Sequence, residues 1–180
     1  MSKALLIIDV QNDYFEGGKS ELKNPMDALR NIELVLGMFR EKKFPVIHVQ
    51  HINTRQGAAF FLPETEGVKI HINLTPIMNE HIVIKHAPNS FYETELDGIL
   101  FDYGITELVI CGMMSHMCVD TTVRACKDRG LMVTLLHDAC TTKDLVFKGE
   151  TIPSETVHQT FMASLQGMFA NVIETSELNL

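Results

Sequence analysis

Three short apolar runs of this chain each lead into a side chain capable of covalent or proton-transfer chemistry. Leu5-Leu6-Ile7-Ile8 runs into Asp9, and Ile82-Val83-Ile84 runs into Lys85. Leu108-Val109-Ile110 runs into Cys111-Gly112, and Cys118 follows at what reads as a helix start. A carboxylate can serve as a general base, an ammonium can hold a thiolate or an oxyanion, and a thiol is the nucleophile that such a pair would assist. Each residue also has a plainer use. Asp9 could cap a helix or make a turn, Lys85 could be a solvated charge, and free cysteines are among the most buried of residues. The chemical reading gains its weight from three strand ends supplying the three groups.

Runs of this kind read as buried parallel strands. In open α/β sheets, ligands bind outside the carboxyl ends of the strands. A thiol in the first turn of a helix also feels the positive end of the helix dipole, which would lower its pKa. The backbone N–H groups there lack intrahelical partners and can hold an oxyanion. Cys118 is therefore expected to be the reactive thiol, and Cys111, Cys126 and Cys140 to be core residues.

The elements that must position these groups alternate along the chain. Strands are expected at about Ala4–Asp9, Pro45–Gln50, His81–Lys85, Glu107–Cys111, Met132–Leu136 and Phe169–Ile173. Helices are expected from Pro25, with Asn24 as N-cap, to about Lys43, then at Phe91–Tyr103, Cys118–Arg129 and Pro153 to about Gln166. Residues 52–80 read as a long loop carrying Gly57, Pro63, Gly67 and Pro76, a length uncommon without a functional reason. The alternation implies a three-layer α/β/α Rossmann-like fold with a mostly parallel sheet of about six strands and right-handed crossovers. The whole of 1–180 reads as a single domain.

Composition narrows the partners. With 46% hydrophobic residues the chain can build a full core, so neither metal nor disulfide staples are needed. The formal charge of −8 argues against nucleic acid and gives no basic segment for a membrane surface. Without a signal-peptide pattern or a span-length apolar stretch, a cytoplasmic location is expected. The four cysteines form no C-x-x-C pair, which disfavours a structural zinc site, and they are expected to be reduced.

The chain resembles the isochorismatase-like cysteine hydrolases. The resemblance rests on Asp9-Val10-Gln11-Asn12-Asp13 with Gly17-Gly18, on Lys85 through Phe91 followed by Thr94 and Leu96, on Gly112 through Thr122, and on Asp138-Ala139-Cys140. It runs from about Ala4 to Ile173. It implies an Asp9–Lys85–Cys118 triad, a cis peptide between Met113 and Met114, and an oxyanion hole made by the N–H groups of Met114 and Cys118. Nicotinamidases of this family hold a metal through an Asp-x-His pair after the second strand. The matching place here reads His51-Ile52-Asn53, so no metal and no other cofactor is expected. His48 and His51, three apart on a strand, would point to opposite faces.

Tyr14 and His116 are candidates for contact with substrate, His116 alternatively for packing near a subunit contact. Phe60-Phe61-Leu62 would form a lid over the pocket or a contact in a homo-oligomer. The expected function is hydrolysis of a small-molecule C–N bond, in an amide, lactam or ureido group, through a thioester. The alternatives are hydrolysis of a vinyl ether of the isochorismate type, or an inactive small-molecule binding protein on the same fold.

Overall fold

The computed structural model describes residues 2–180. Six strands form one parallel sheet: β1 (Ser2–Ile8), β2 (Val46–His51), β3 (His81–Lys85), β4 (Ile105–Met113), β5 (Met132–Thr141) and, after a short hairpin, β8 (Asn171–Ile173). Their spatial order is β3-β2-β1-β4-β5-β8, and every pairing is parallel. The order changes direction between β1 and β4, so the crevice at the top of those two strands is where such a sheet opens a ligand site.

Alternate residues of β1 enter two separate cores. Ala4, Leu6 and Ile8 pack on one face with residues of α2 (Leu96–Asp102), α3 (Asp120–Asp128) and α4 (Ser154–Leu165). Leu5 and Ile7 pack on the other with Ala28, Leu29, Ile32, Val35, Leu36 and Phe39 of α1 (Pro25–Lys42). Burial on both faces is why these strands read as continuous apolar runs rather than as alternating ones. Among the described residues, no helix is long and apolar enough to cross a membrane.

Four expectations are corrected. Asn24 is not a side-chain cap: it sits in the left-handed region at φ 47°, and its carbonyl accepts the Asp27 N–H. The helix expected from Phe91 begins only at Leu96, because the preceding side chains bond their own backbone. Asn89 Oδ1 accepts from Phe91 N at 2.9 Å, and Thr94 Oγ1 donates to Ser90 O at 2.6 Å, the local competition that keeps such residues out of helices. The fifth strand runs on to Thr141, past a register shift against β4. Beyond it, β6 (Leu145–Phe147) and β7 (Glu150–Ile152) form a hairpin turned by Lys148-Gly149 at φ 52° and 85°, the double positive φ of a tight hairpin turn.

Candidate active site

Asp9 stands at the first position beyond β1, in the left-handed region at φ 52°, a conformation that Asp tolerates better than most residues. Its N–H donates to Val49 O and its carbonyl accepts from Gln11 N, so the backbone turns sharply out of the sheet while the carboxylate stays inside. Lys85 is the last residue of β3. Cys118 follows β4 through a π-helical turn, Ser115–Val119, in which Met114 O accepts from both Met117 N and Val119 N. The close approach of these segments depends on Gly112. At φ 125°, a Cβ there would lie 2.1 Å from the Ile8 carbonyl oxygen, so only glycine lets β4 run this near the end of β1.

The structure brings the three side chains together. Lys85 Nζ lies 2.7 Å from Asp9 Oδ2 and 3.2 Å from Cys118 Sγ. It also donates to His51 Nδ1 at 2.9 Å and Ala87 O at 3.1 Å. Asp9 and Lys85 are fully buried and Cys118 is 4% exposed. Asp9 Oδ1 is buried with no hydrogen-bond partner among the described residues. A sealed, unpaired carboxylate oxygen is costly, and burial accordingly raises Asp9 above the usual carboxylate range, although Lys85 opposes the shift. Burial works against the Lys85 charge too, but Asp9 and Cys118 outweigh it and hold the ammonium above the ordinary lysine value.

The thiol departs from the sequence expectation. Burial, followed by the Asp9 charge, raises Cys118 far above the ordinary thiol value, with Lys85 opposing. The turn before α3 is π-helical and Sγ is enclosed beside a carboxylate, so the dipole argument loses to desolvation. Burial thus favours the neutral thiol over the thiolate beside the Asp9 carboxylate. Cys111, Cys126 and Cys140 are free and buried in the cores, as expected.

Above Cys118 lies a pocket of about 210 Å³, lined by Tyr14, Phe60, Phe61, Pro88, Met114 and Met117, and on one side by His51, Asn53 and Arg55. Phe61 packs on Tyr14 with ring centroids 4.6 Å apart, and Phe60 on Phe61 at 4.9 Å. A larger depression, about 390 Å³, opens behind this loop around Asn12, Gly18 and Gly67 and contains none of the three reactive groups. His116 is not in the pocket lining: its Nδ1 meets Thr142 Oγ1 and its ring packs edge-on against Phe161. The Met113–Met114 peptide is cis, where the resemblance places it.

The loop after β2 is fastened down. Gln11 Nε2 donates to His51 O at 2.8 Å and Val68 O at 2.7 Å, while its Oε1 accepts from His51 N at 2.8 Å. Asp13 Oδ2 accepts from Phe61 N at 2.6 Å, and Asp13 Oδ1 from Lys19 N at 3.1 Å. Gly67 packs directly on that carboxylate, with no room for a Cβ. Sequence reading passed over these roles, and over Asn53, Arg55, Pro88 and Met117. The signal available was the polar triplet Gln11-Asn12-Asp13 directly behind Asp9.

Asp9, His51 and Cys118 each offer a metal-ligand atom, all within 4.8 Å of one another. The Lys85 ammonium contacts all three at 2.7, 2.9 and 3.2 Å. A cation thus already satisfies these donors, and the residues do not fit a metal in the same place. His48, on the opposite face of β2, bonds Glu80 Oε2 through Nε2 at 2.9 Å, and Arg40 clasps the same carboxylate.

A buried Asp–Lys–Cys group at the switch point of a parallel sheet marks an α/β protein of the three-layer class. The sequence model of the Isochorismatase domain matches residues 3–177, and the chain belongs to the isochorismatase family of hydrolases. It is 48% identical to an uncharacterized isochorismatase family protein of Bacillus subtilis, YddQ, over 97% of each chain. It is 35% identical to a streptothricin hydrolase of Streptomyces noursei over 79% of this chain and 56% of that one. A crystal structure from Oleispira antarctica superposes with a TM-score of 0.94 at 43% identity, covering 98% of this chain and 95% of that one.

Proposed function

We propose that the protein hydrolyses a C–N bond of a small amide, lactam or ureido compound through a thioester on Cys118. The observation that carries this reading is the chain of contacts Asp9 Oδ2–Lys85 Nζ–Cys118 Sγ, at 2.7 and 3.2 Å, under a pocket of small volume. The streptothricin hydrolase relative is named for hydrolysis, which is compatible with it.

The proton has one evident destination. As Sγ attacks the substrate carbonyl, the thiol proton passes to Asp9, whose Oδ1 has no other donor. The oxyanion that forms is taken up by the N–H groups of Met114 and Cys118. Lys85 keeps the site's charge balanced while the proton moves. Collapse of the tetrahedral intermediate breaks the C–N bond, and the amine leaves with the proton from Asp9. Asp9, again a carboxylate, takes a proton from water; the hydroxide attacks the thioester, and the acid departs as Sγ regains its proton. A vinyl ether offers neither an acyl carbon for the thiolate nor a carbonyl oxygen for those N–H groups.

The test is a screen of small amides, lactams and ureido compounds for release of ammonia or amine by the wild-type chain and by Cys118→Ala. Release that depends on Cys118 supports the reading. Full turnover of a vinyl ether by Cys118→Ala, without any C–N cleavage by the wild type, contradicts it.

A further inference from the structure

His51, the last residue of β2, and Asn53 and Arg55 in the turn that follows it all line the pocket over Cys118. His51 and Asn53 are oriented from behind. Lys85 has no acceptor lone pair, so its bond to His51 Nδ1 at 2.9 Å makes that nitrogen the acceptor. The imidazole then carries its proton on Nε2, which has no partner among the described residues and is not sealed from solvent. Asn53 Oδ1 accepts the Arg55 N–H at 3.3 Å, and its amide NH₂ has no partner among the described residues. The Arg55 guanidinium makes no ion pair or hydrogen bond among the described residues. No Asp or Glu lines the pocket, in a chain with 23 acidic residues against 15 basic ones.

We propose that this row is a donor-rich recognition wall, in which His51 Nε2–H, the Asn53 amide and the Arg55 guanidinium select small substrates that carry a carboxylate away from the scissile C–N bond. The inference rests on the reading of this pocket as the substrate site. A neutral amide finds little on the wall to accept its N–H groups beyond the second lone pair of Asn53 Oδ1, whereas a carboxylate offers about four lone-pair sites to three donors. His51 is thereby a positioning and substrate-binding group rather than a metal ligand or a base.

Binding can be read without turnover. Calorimetric titration of the full chain with succinate and with succinamide, its neutral counterpart of the same length, compares the two directly. Succinate should bind about tenfold more tightly or better. Arg55→Gln should bring the two ligands within about threefold of each other, and Asn53→Asp, which adds an acceptor and a charge, should reverse the preference. Nitrogen-15 NMR of the His51 ring should show a neutral imidazole protonated at Nε2. Equal affinities in the wild type, a preference untouched by Arg55→Gln, no saturable succinate binding at millimolar concentration, or a His51 protonated at Nδ1 would each overturn the proposal. A chain that prefers succinate but never forms a covalent adduct at Cys118 keeps this inference and loses the hydrolase mechanism. The reverse result separates them the other way.

Discussion

Gly112 packs against the backbone of Ile8 so closely that a methyl group on it would sit 2.1 Å from the Ile8 carbonyl oxygen and 2.7 Å from its nitrogen. These are the residues one step before Asp9 and six before Cys118. The separation between acid and thiol is therefore set by the missing side chain of a glycine at φ 125°. Gly112→Ala has to push β4 off β1, and is expected to cost about 3 kcal/mol or more of stability. Urea denaturation of the variant measures this; a midpoint within error of the wild type would mean that the two strands can part freely.

Lys85 and Asp9 are both fully buried and 2.7 Å apart. Lys85→Met leaves the Asp9 carboxylate without its counter-charge, a loss expected to cost about 3–5 kcal/mol. Adding Asp9→Asn should recover most of that, because the pair then becomes neutral. Activity should follow a different course: each single variant should lose about a hundredfold or more in kcat, and the double variant should recover none. Denaturation curves and initial rates on one set of three proteins separate the two roles.

His51 supplies a pH dependence with a definite sign. Burial, followed by the Lys85 charge, lowers it from 6.5 to about 3. A group depressed in the folded state contributes stability that is full above pH 6.5 and is lost as pH falls towards 3, since the unfolded chain takes up the proton first. His51→Gln should flatten the fall in urea midpoint across that window. An unchanged slope would mean that the imidazole is charged in the fold.

Asp13 holds the aromatic side of the pocket through the N–H of Phe61 at 2.6 Å. Asp13→Ala strands that donor and the Lys19 N–H, at an expected cost of about 2 kcal/mol. Hydrogen exchange should rise at residues 59–68 before it rises in the sheet. Equal protection in variant and wild type would show that the loop is held by Gln11 and the apolar contacts alone.

The parallel sheet was legible because burial on both faces leaves runs such as Leu5–Ile8 and Leu108–Ile110 without alternation, and because the reactive residues sit where those runs stop. The Asp9–Lys85–Cys118 group was legible for the same reason. What escaped notice was decided by contacts distant in sequence. The pKa of Cys118 depends on enclosure beside Asp9, which overrides its place in a turn. His116 carries the right side chain two residues from the thiol, yet bonds Thr142 instead. His51, matched by position with a relative's metal ligand, is claimed by Lys85 34 residues away. The Lys148-Gly149 hairpin was visible in principle as a turn pair between Val146-Phe147 and Thr151-Ile152, which favour strands, but its strands are only three residues each.

The central claim is a covalent bond between substrate and Cys118, and quenched-flow mass spectrometry measures it most directly. With a substrate found by amine release, early quenching of the wild-type chain should show an acyl adduct on the peptide containing Cys118, formed before the acid product and lost as it accumulates. Cys118→Ala should show no adduct and no amine release. If the wild type releases amine with no adduct at any time, or if Cys118→Ala retains full turnover, the thioester mechanism is contradicted and Asp9 is left as an acid or base acting on water alone.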